Sequence, residues 1–454
     1  MAQSDNSKTG SGSQTADVVV IGAGVFGCGV AFELSKRGLD VIVVEMLSAP
    51  GLGSTSSSGA IVRFNYSTVD GVRLAWEGNG YWENFADHVK LPPGATVTHE
   101  NGLAKKISTG LCFLRHDNEL CDLYEQTLTA AGVPYQNLTP NEVLERFPFI
   151  GLGTYGGPCL PDDDRFWDEP TSAYLGALST PDAGYINDPQ LVAQNLHTAA
   201  IAHGARFLFT TRVDEITTSP DQSRVVGVGL VGGSTISAPI VVNVGGPWSS
   251  NLVEMAGLTD TMNITTRPMR HEAHITPSSP GVDFERDGTI FTDLDQGIYF
   301  RPTAGNNVFI GSTDPECDGH EWVDDLDAMN REVTQPIWER QTMRLAKRID
   351  NFGIPHQRKG LAEAYDVSTD WGPIYDRTDL DGFFCVMGTS GNQFKNACVA
   401  SHLMAELVVA VTNGHDHDAN SLKVTGIHTG VELNMGAFGR NREVNAKSTG
   451  SVMG

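Results

Sequence analysis

Two short, continuous apolar runs stand near the start of the chain, Val18-Val19-Val20-Ile21 and Val41-Ile42-Val43-Val44. β-Branched runs without polar alternation fill strands buried on both faces, the habit of parallel sheets. The stretch between them is long enough for the helix that a parallel crossover needs, and Ala31 and Gly38 fall where that helix must pack on the sheet and end. Further on, Leu191 to Gly204 repeats apolar residues at helical spacing, Ala205–Val213 reads as a strand, and Ile240-Val241-Val242-Asn243 reads as another. Residues 267–311 alternate apolar and polar positions, as half-buried antiparallel strands do, and an apolar helix is expected over 397–412.

The turn after the first run is Gly22-Ala23-Gly24-Val25-Phe26-Gly27, a G-x-G-x-x-G between strand and helix. Its first glycine makes the tight turn, its second lets backbone approach a pyrophosphate, and its third lets helix meet strand. The helix N-terminus then faces the phosphates. Glu45 closes the second run about 20 residues beyond, the reach of a ribose hydroxyl, and its charge disfavours a 2′-phosphate. This is a Rossmann-type dinucleotide fingerprint, and FAD and NAD both use it.

With 454 residues the chain holds two or three units at roughly 100–200 residues per domain. Its 31 basic and 55 acidic residues give a net charge of −24, a field that repels phosphate backbones and anionic lipid, so neither nucleic acid nor a membrane is an expected partner. The seven cysteines show no C-x-x-C spacing and read as reduced thiols, with no metal site expected. The Ser/Gly-rich residues 1–16 lack an apolar core, and no stretch reaches the roughly 18 apolar residues of a membrane span. A cytoplasmic protein is expected.

The segment after Glu45, Gly53-Ser54-Thr55-Ser56-Ser57-Ser58-Gly59-Ala60-Ile61-Val62-Arg63-Phe64-Asn65-Tyr66, is rich in small residues. With Gly184–Pro189, with Gly245-Gly246-Pro247-Trp248, with residues 267–302 and with the stretches Lys359–Ile374 and Gly388–Asn396, it resembles the D-amino-acid oxidase (DAO) superfamily of FAD enzymes, and within it the sarcosine oxidase-like amine oxidoreductases. The resemblance runs from Asp17 to about Thr412 and implies an α/β fold. A Rossmann-type FAD domain is assembled from residues 17–90, 181–260 and 351–414, and a mixed, largely antiparallel substrate domain from 91–180 and 261–350. Residues 1–16 are expected as a tail and 415–454 as a C-terminal extension.

By the same resemblance, Gly22, Gly24, Val25, Phe26, Gly27, Glu45, Ser54, Thr55, Ser56, Val213, Gly245, Gly246, Trp248, Gly388, Gly391, Asn392, Gln393, Phe394 and Lys395 would hold FAD. Arg63 and Lys395 match the two cations that grip a substrate carboxylate, and Tyr365 matches a tyrosine of that pocket. Glu363 stands where monomeric sarcosine oxidases bond their flavin through cysteine, and Ser56–Ser58 fill the region of a flavin-linking histidine, so FAD is expected to be non-covalent. An oxygen-activating lysine of that branch falls near Phe309, a pocket histidine at Thr313 and a flavin-side arginine at Ala60, all absent here.

The activity implied is oxidation of an amino acid or N-alkyl amino acid to an imine, with electrons passed to O2 or another acceptor. The alternatives are a 2-hydroxy-acid or polyol-phosphate dehydrogenase and a non-catalytic FAD-binding subunit; the oligomeric state, a homo-oligomer included, is left open. His271-Glu272 is a further candidate for contact with flavin or substrate. Trp76, Tyr81, Trp82 and Phe85 read as core, and His415-Asp416-His417-Asp418 as a solvated turn.

Overall fold

The computed structural model describes residues 13–116 and 119–454. Val18–Ile21 and Val41–Val44 are strands buried along their whole length and paired in parallel. They lie in a six-stranded sheet whose order is Arg206–Leu208, Val41–Val44, Val18–Ile21, Ile240–Asn243, Phe383–Met387, Ile374–Arg377. All neighbours are parallel except the last pair. The parallel strands therefore end on one edge of the sheet, and the turns that follow Ile21, Val44, Asn243 and Met387 gather there although the sequence scatters them.

The helix Val25–Lys36 packs between the helices Pro189–Ala202 and Ala397–Thr412. Gly29 sets its approach to the last of these, because a Cβ there would lie 2.3 Å from Ser401 Oγ. The segment Phe394–Thr412 corrects the expectation that no stretch is apolar enough to span a bilayer: at 19 residues it is, and 67% of it is buried inside the molecule.

Two other expectations are revised. Ala205–Val213 is not one strand, because Thr210 takes a left-handed φ of 51° and the chain leaves the sheet after Leu208. Its backbone N–H groups at 210 and 211 donate to the carbonyls of Leu47 and Glu45, and Val213–Thr218 then enters a separate four-stranded sheet. Gln14–Thr15, expected in the tail, pairs with Ile236 and Ser237 at the edge of that sheet, and residues 1–12 lie outside the described residues.

A nine-stranded sheet forms the second layer, antiparallel except where Ile290–Asp293 runs parallel to Leu111–Leu114. Its longest ladder joins Thr266–Pro277 to Gly360–Ser368, with Met269 opposite Tyr365 and His271 opposite Glu363. The extension 415–454 is clamped to the body by Arg440, whose guanidinium pairs with Asp376, Asp379 and Asp418. His417 belongs to this network and is 3% exposed, so it is the buried residue of a turn whose Asp416 and Asp418 are exposed as expected.

Candidate active site

At the edge where the parallel strands end lie two adjoining cavities of about 930 and 1190 Å³. They share Gly24, Ser54, Thr55, Val244, Gly246 and Pro247 as walls and so form one elongated channel. Gly22, Glu45, Val213, Gly245 and Trp248 line one end. Val25 and Phe26, then Gly391, Asn392, Gln393, Phe394, Lys395, Arg63 and Tyr365, line the other. Three expected positions stand behind the walls. A Cβ on Gly27 would meet the Gly22 carbonyl at 2.0 Å, the Ser56 hydroxyl donates to the Gly53 carbonyl at 3.0 Å, and the Gly388 N–H donates to Asp366 Oδ2 at 2.6 Å.

The first end suits a dinucleotide. Gly22 has φ +107° and a Cβ there would lie 2.4 Å from the Val244 carbonyl oxygen, so the turn presents bare backbone. Glu45 accepts from the N–H of Ala23 at 2.6 Å and of Leu47 at 2.7 Å, which fixes the loop around a carboxylate at the second strand's end. The N–H of Val25, at the helix N-terminus, donates to Thr55 Oγ1 at 3.0 Å. The group on the Val25 N–H is thus a neutral hydroxyl, in a position that phosphate oxygens favour.

At the other end, the small-residue loop carries Arg63 and the turn before the helix Ala397–Thr412 carries Lys395, and they are 7% and 2% exposed. The ring of Tyr66 lies between them, 4.8 Å from the guanidinium and 4.9 Å from the ammonium. The Lys395 ammonium donates to the Asn392 carbonyl, and Arg63 donates to the carbonyls of Asn65, Val452 and Met453. Among the described residues no carboxylate pairs with either cation. Burial, with Arg63 adding repulsion, pushes the Lys395 ammonium well below its ordinary range. Without a counter-ion the charged form of Lys395 is therefore disfavoured, and an anionic ligand beside it and Arg63 would favour that charge.

Tyr365 forms the facing wall. Its ring stacks on His271 at 4.5 Å, and Gly391 must be glycine beside it, since a Cβ would lie 2.4 Å from the ring. Burial, and after it Tyr299 and Asp314, raise the Tyr365 phenol far above its usual range, so it stays protonated. His271 Nε2 lies 3.0 Å from Asp314 Oδ1. Asp366, 1% exposed in the same wall, is pushed up to about 7 by burial, against the lowering influence of the Gly388 N–H and the Thr266 hydroxyl.

Sequence reasoning did not single out Tyr66, Tyr299 or Asp366 as site residues, although all three fall inside stretches quoted for the resemblance. Trp82, read as core, is core, and its indole N–H also donates to the Lys395 carbonyl at 2.7 Å.

The family model described as FAD dependent oxidoreductase (DAO) matches residues 17–407. A glycine oxidase of Geobacillus kaustophilus is 26% identical over 303 residues, 65% of this chain and 70% of that protein. The sarcosine oxidase subunit beta of Rhodobacter capsulatus is 25% identical over 402 residues, 86% of this chain and 84% of its own. The crystal structure of the Geobacillus kaustophilus glycine oxidase superposes with a TM-score of 0.70 at 21% identity, covering 95% of this chain and all of that one, a likeness of fold.

Proposed function

The chain belongs to the FAD-dependent oxidoreductase (DAO) family, and from that premise we propose that it oxidises the C–N bond of a small amine carrying a carboxylate, an amino acid or N-alkyl amino acid. The observation that carries this reading is the pair of buried, carboxylate-free cations Arg63 and Lys395 at the inner end of the channel. Glycine and sarcosine, after which these two relatives are named, are both amines with a carboxylate next to the reacting carbon.

When bound, FAD supplies the hydride acceptor for the carbon next to nitrogen. Gly22, Gly24, Glu45, Val213 and the Gly245–Trp248 turn would hold its nucleotide half, and Gly391–Lys395 its reactive half, without a covalent link. Arg63 and Lys395 bind the substrate carboxylate and so fix the position of its α-carbon. Their charge also disfavours a nearby ammonium, so the bound amine is shifted toward its neutral form, whose lone pair the oxidation needs. Tyr365 and Tyr66 close the sides of the pocket and keep water from the reacting carbon. The substrate loses a hydride from carbon and a proton from nitrogen, C–N becomes C=N, and water hydrolyses the imine to a carbonyl compound and an amine or ammonia. Electrons leave to O2 or to another acceptor.

The test is an anaerobic titration of the yellow protein with N-methyl amino acids, secondary amino acids, D- and L-amino acids and 2-hydroxy acids, watching the visible flavin band. Bleaching by an amine acid supports the reading, and the rate of recolouring in air separates oxidase from dehydrogenase. Bleaching by hydroxy acids alone overturns it.

A further inference from the structure

The carboxylate subsite already holds a ligand, and that ligand is the chain itself. Arg63 Nη2 donates to the carbonyls of Val452 at 2.6 Å and Met453 at 3.0 Å, and Nη1 to the carbonyl of Asn65. A carboxylate gripped side-on by a guanidinium needs two adjacent N–H groups on one edge, and every edge that includes an Nη atom is engaged here. Val452 packs against Met269, Val367 and Trp371, and both it and Met453 line the substrate cavity.

The segment is held by polar contacts at its base and by packing at residues 452–453, since Val452 and Met453 are buried and Met453 belongs to the main hydrophobic core. Its base is fixed by the ion pair of Arg442 with Asp370 at 2.7 Å and by Asn445 Nδ2 donating to Ser67 Oγ at 2.9 Å. Beyond Asn445 the hydrogen bonds among the described residues are local, as from Ser448 N to the Asn445 carbonyl, from Gly450 N to Ser448 Oγ and from Met453 N to Ser451 Oγ, apart from those of Arg63 to residues 452 and 453. A further cavity of about 1190 Å³, lined by Tyr66, Trp371, Gln393, Arg442, Asn445 and Gly454, lies beside the segment. Gln393 is a wall of both this cavity and the substrate cavity, and residues 452–454 stand between them.

Resting on the reading of Arg63 as a carboxylate anchor, we propose that residues 447–454 form a strap that occupies the substrate-carboxylate subsite and is displaced by the substrate. A carboxylate makes a stronger, doubly charge-assisted bond to guanidinium than two backbone carbonyls do, and this gain works against the burial of Val452 and Met453 that holds the strap in place. Withdrawal of the tip joins the two cavities and opens a route to the inner end of the channel. The strap lowers apparent substrate affinity by the fraction of molecules in which it is seated.

The test uses the full-length FAD-loaded protein with acetate and benzoate as probes. The visible flavin spectrum reports binding, and amide hydrogen exchange of residues 447–454 reports the strap. Saturation with either carboxylate should speed exchange at 452–454, and deletion of residues 447–454 should tighten carboxylate binding about tenfold or more, the inverse of the open fraction. A spectral shift with exchange unchanged or slowed, or weaker binding after the deletion, would show a permanent wall and overturn the strap alone. If neither probe perturbs the flavin in either protein, the anchor reading falls and the strap falls with it. Should the deleted protein fail to fold, the exchange measurement on the intact protein decides.

Discussion

Replacing Asp366 by Asn should stabilise the protein, and should do so only as pH rises. Asp366 lies on the Gly360–Ser368 strand opposite Pro268, 1% exposed, with Oδ2 accepting from the Gly388 N–H at 2.6 Å and the Thr266 hydroxyl nearby. Burial raises its carboxyl from 3.8 to about 7. Below pH 4 folded and unfolded chains both carry the proton, and the group contributes no pH dependence. Between about pH 4 and 7 the unfolded chain releases the proton while the folded chain keeps it, so the unfolded state binds fewer protons and stability falls with pH. Above 7 the loss levels off at about 4 kcal/mol, taken as 1.36 kcal/mol for each pH unit of that interval. The amide introduced by Asp366→Asn would keep an oxygen for the Gly388 N–H and carry no charge. Urea unfolding of wild type and Asp366→Asn at saturating FAD, from pH 4 to 8, should give curves that nearly coincide at the acid end and separate by up to about 4 kcal/mol at the alkaline end. A variant that is less stable at pH 8, or a gap that does not grow with pH, would refute the claim that the ionised carboxylate is penalised in the fold.

Lys395→Met should raise KM for an amine acid about tenfold or more, roughly 1.4 kcal/mol of binding, with a smaller change in kcat, and Arg63→Ala should do the same less whatever it gains by freeing residues 452–453; steady-state kinetics with KM unchanged in both would remove the clamp. Glu45→Ala takes a charged acceptor from the N–H groups of Ala23 and Leu47, so FAD affinity, read by flavin fluorescence titration of the apoprotein, should fall about tenfold or more, and an unaltered Kd would show that the loop holds its shape without it. Acid or urea denaturation followed by filtration should send all the yellow colour through the membrane, whereas colour retained with the polypeptide would mean a covalent link that Glu363 and Ser56–Ser58 do not provide.

What the sequence made legible is what local spacing dictates. The βαβ unit with its glycine turn, the carboxylate at Glu45 and the helix Ala397–Thr412 follow from patterns a few residues long, and the structure places them at one edge of a sheet. What it hid depends on contacts between distant positions. Asp366 reads as an ordinary polar residue of an alternating strand until the Gly388 turn seals it in. His417, in a stretch of alternating His and Asp, looked solvated because its burying partners Asp376 and Arg440 come from elsewhere. The contact between Arg63 and Val452 bridges 389 residues, and nothing near either one announces the other. The break at Thr210 is a different failure, since its left-handed φ goes with hydrogen bonds from 210 and 211 back to the Glu45–Leu47 loop and leaves no mark in hydrophobicity.

The charge distribution sets the substrate problem in an unusual form. A protein of net charge −24 repels a carboxylate at long range, yet the inner end of its channel presents two cations with no anion beside them. The long-range term acts through water and is screened within about 10 Å at 0.1 M salt, whereas the contacts with Arg63 and Lys395 form where water is excluded and are screened much less. Added salt should therefore speed the association of a net anion such as benzoate, by weakening repulsion, while leaving its dissociation nearly unchanged. Stopped-flow recording of the flavin spectral shift at several ionic strengths separates the two rates. A bimolecular rate that falls with salt would mean that the surface steers anions inward, and the selection of a carboxylate could then no longer be assigned to the buried pair alone.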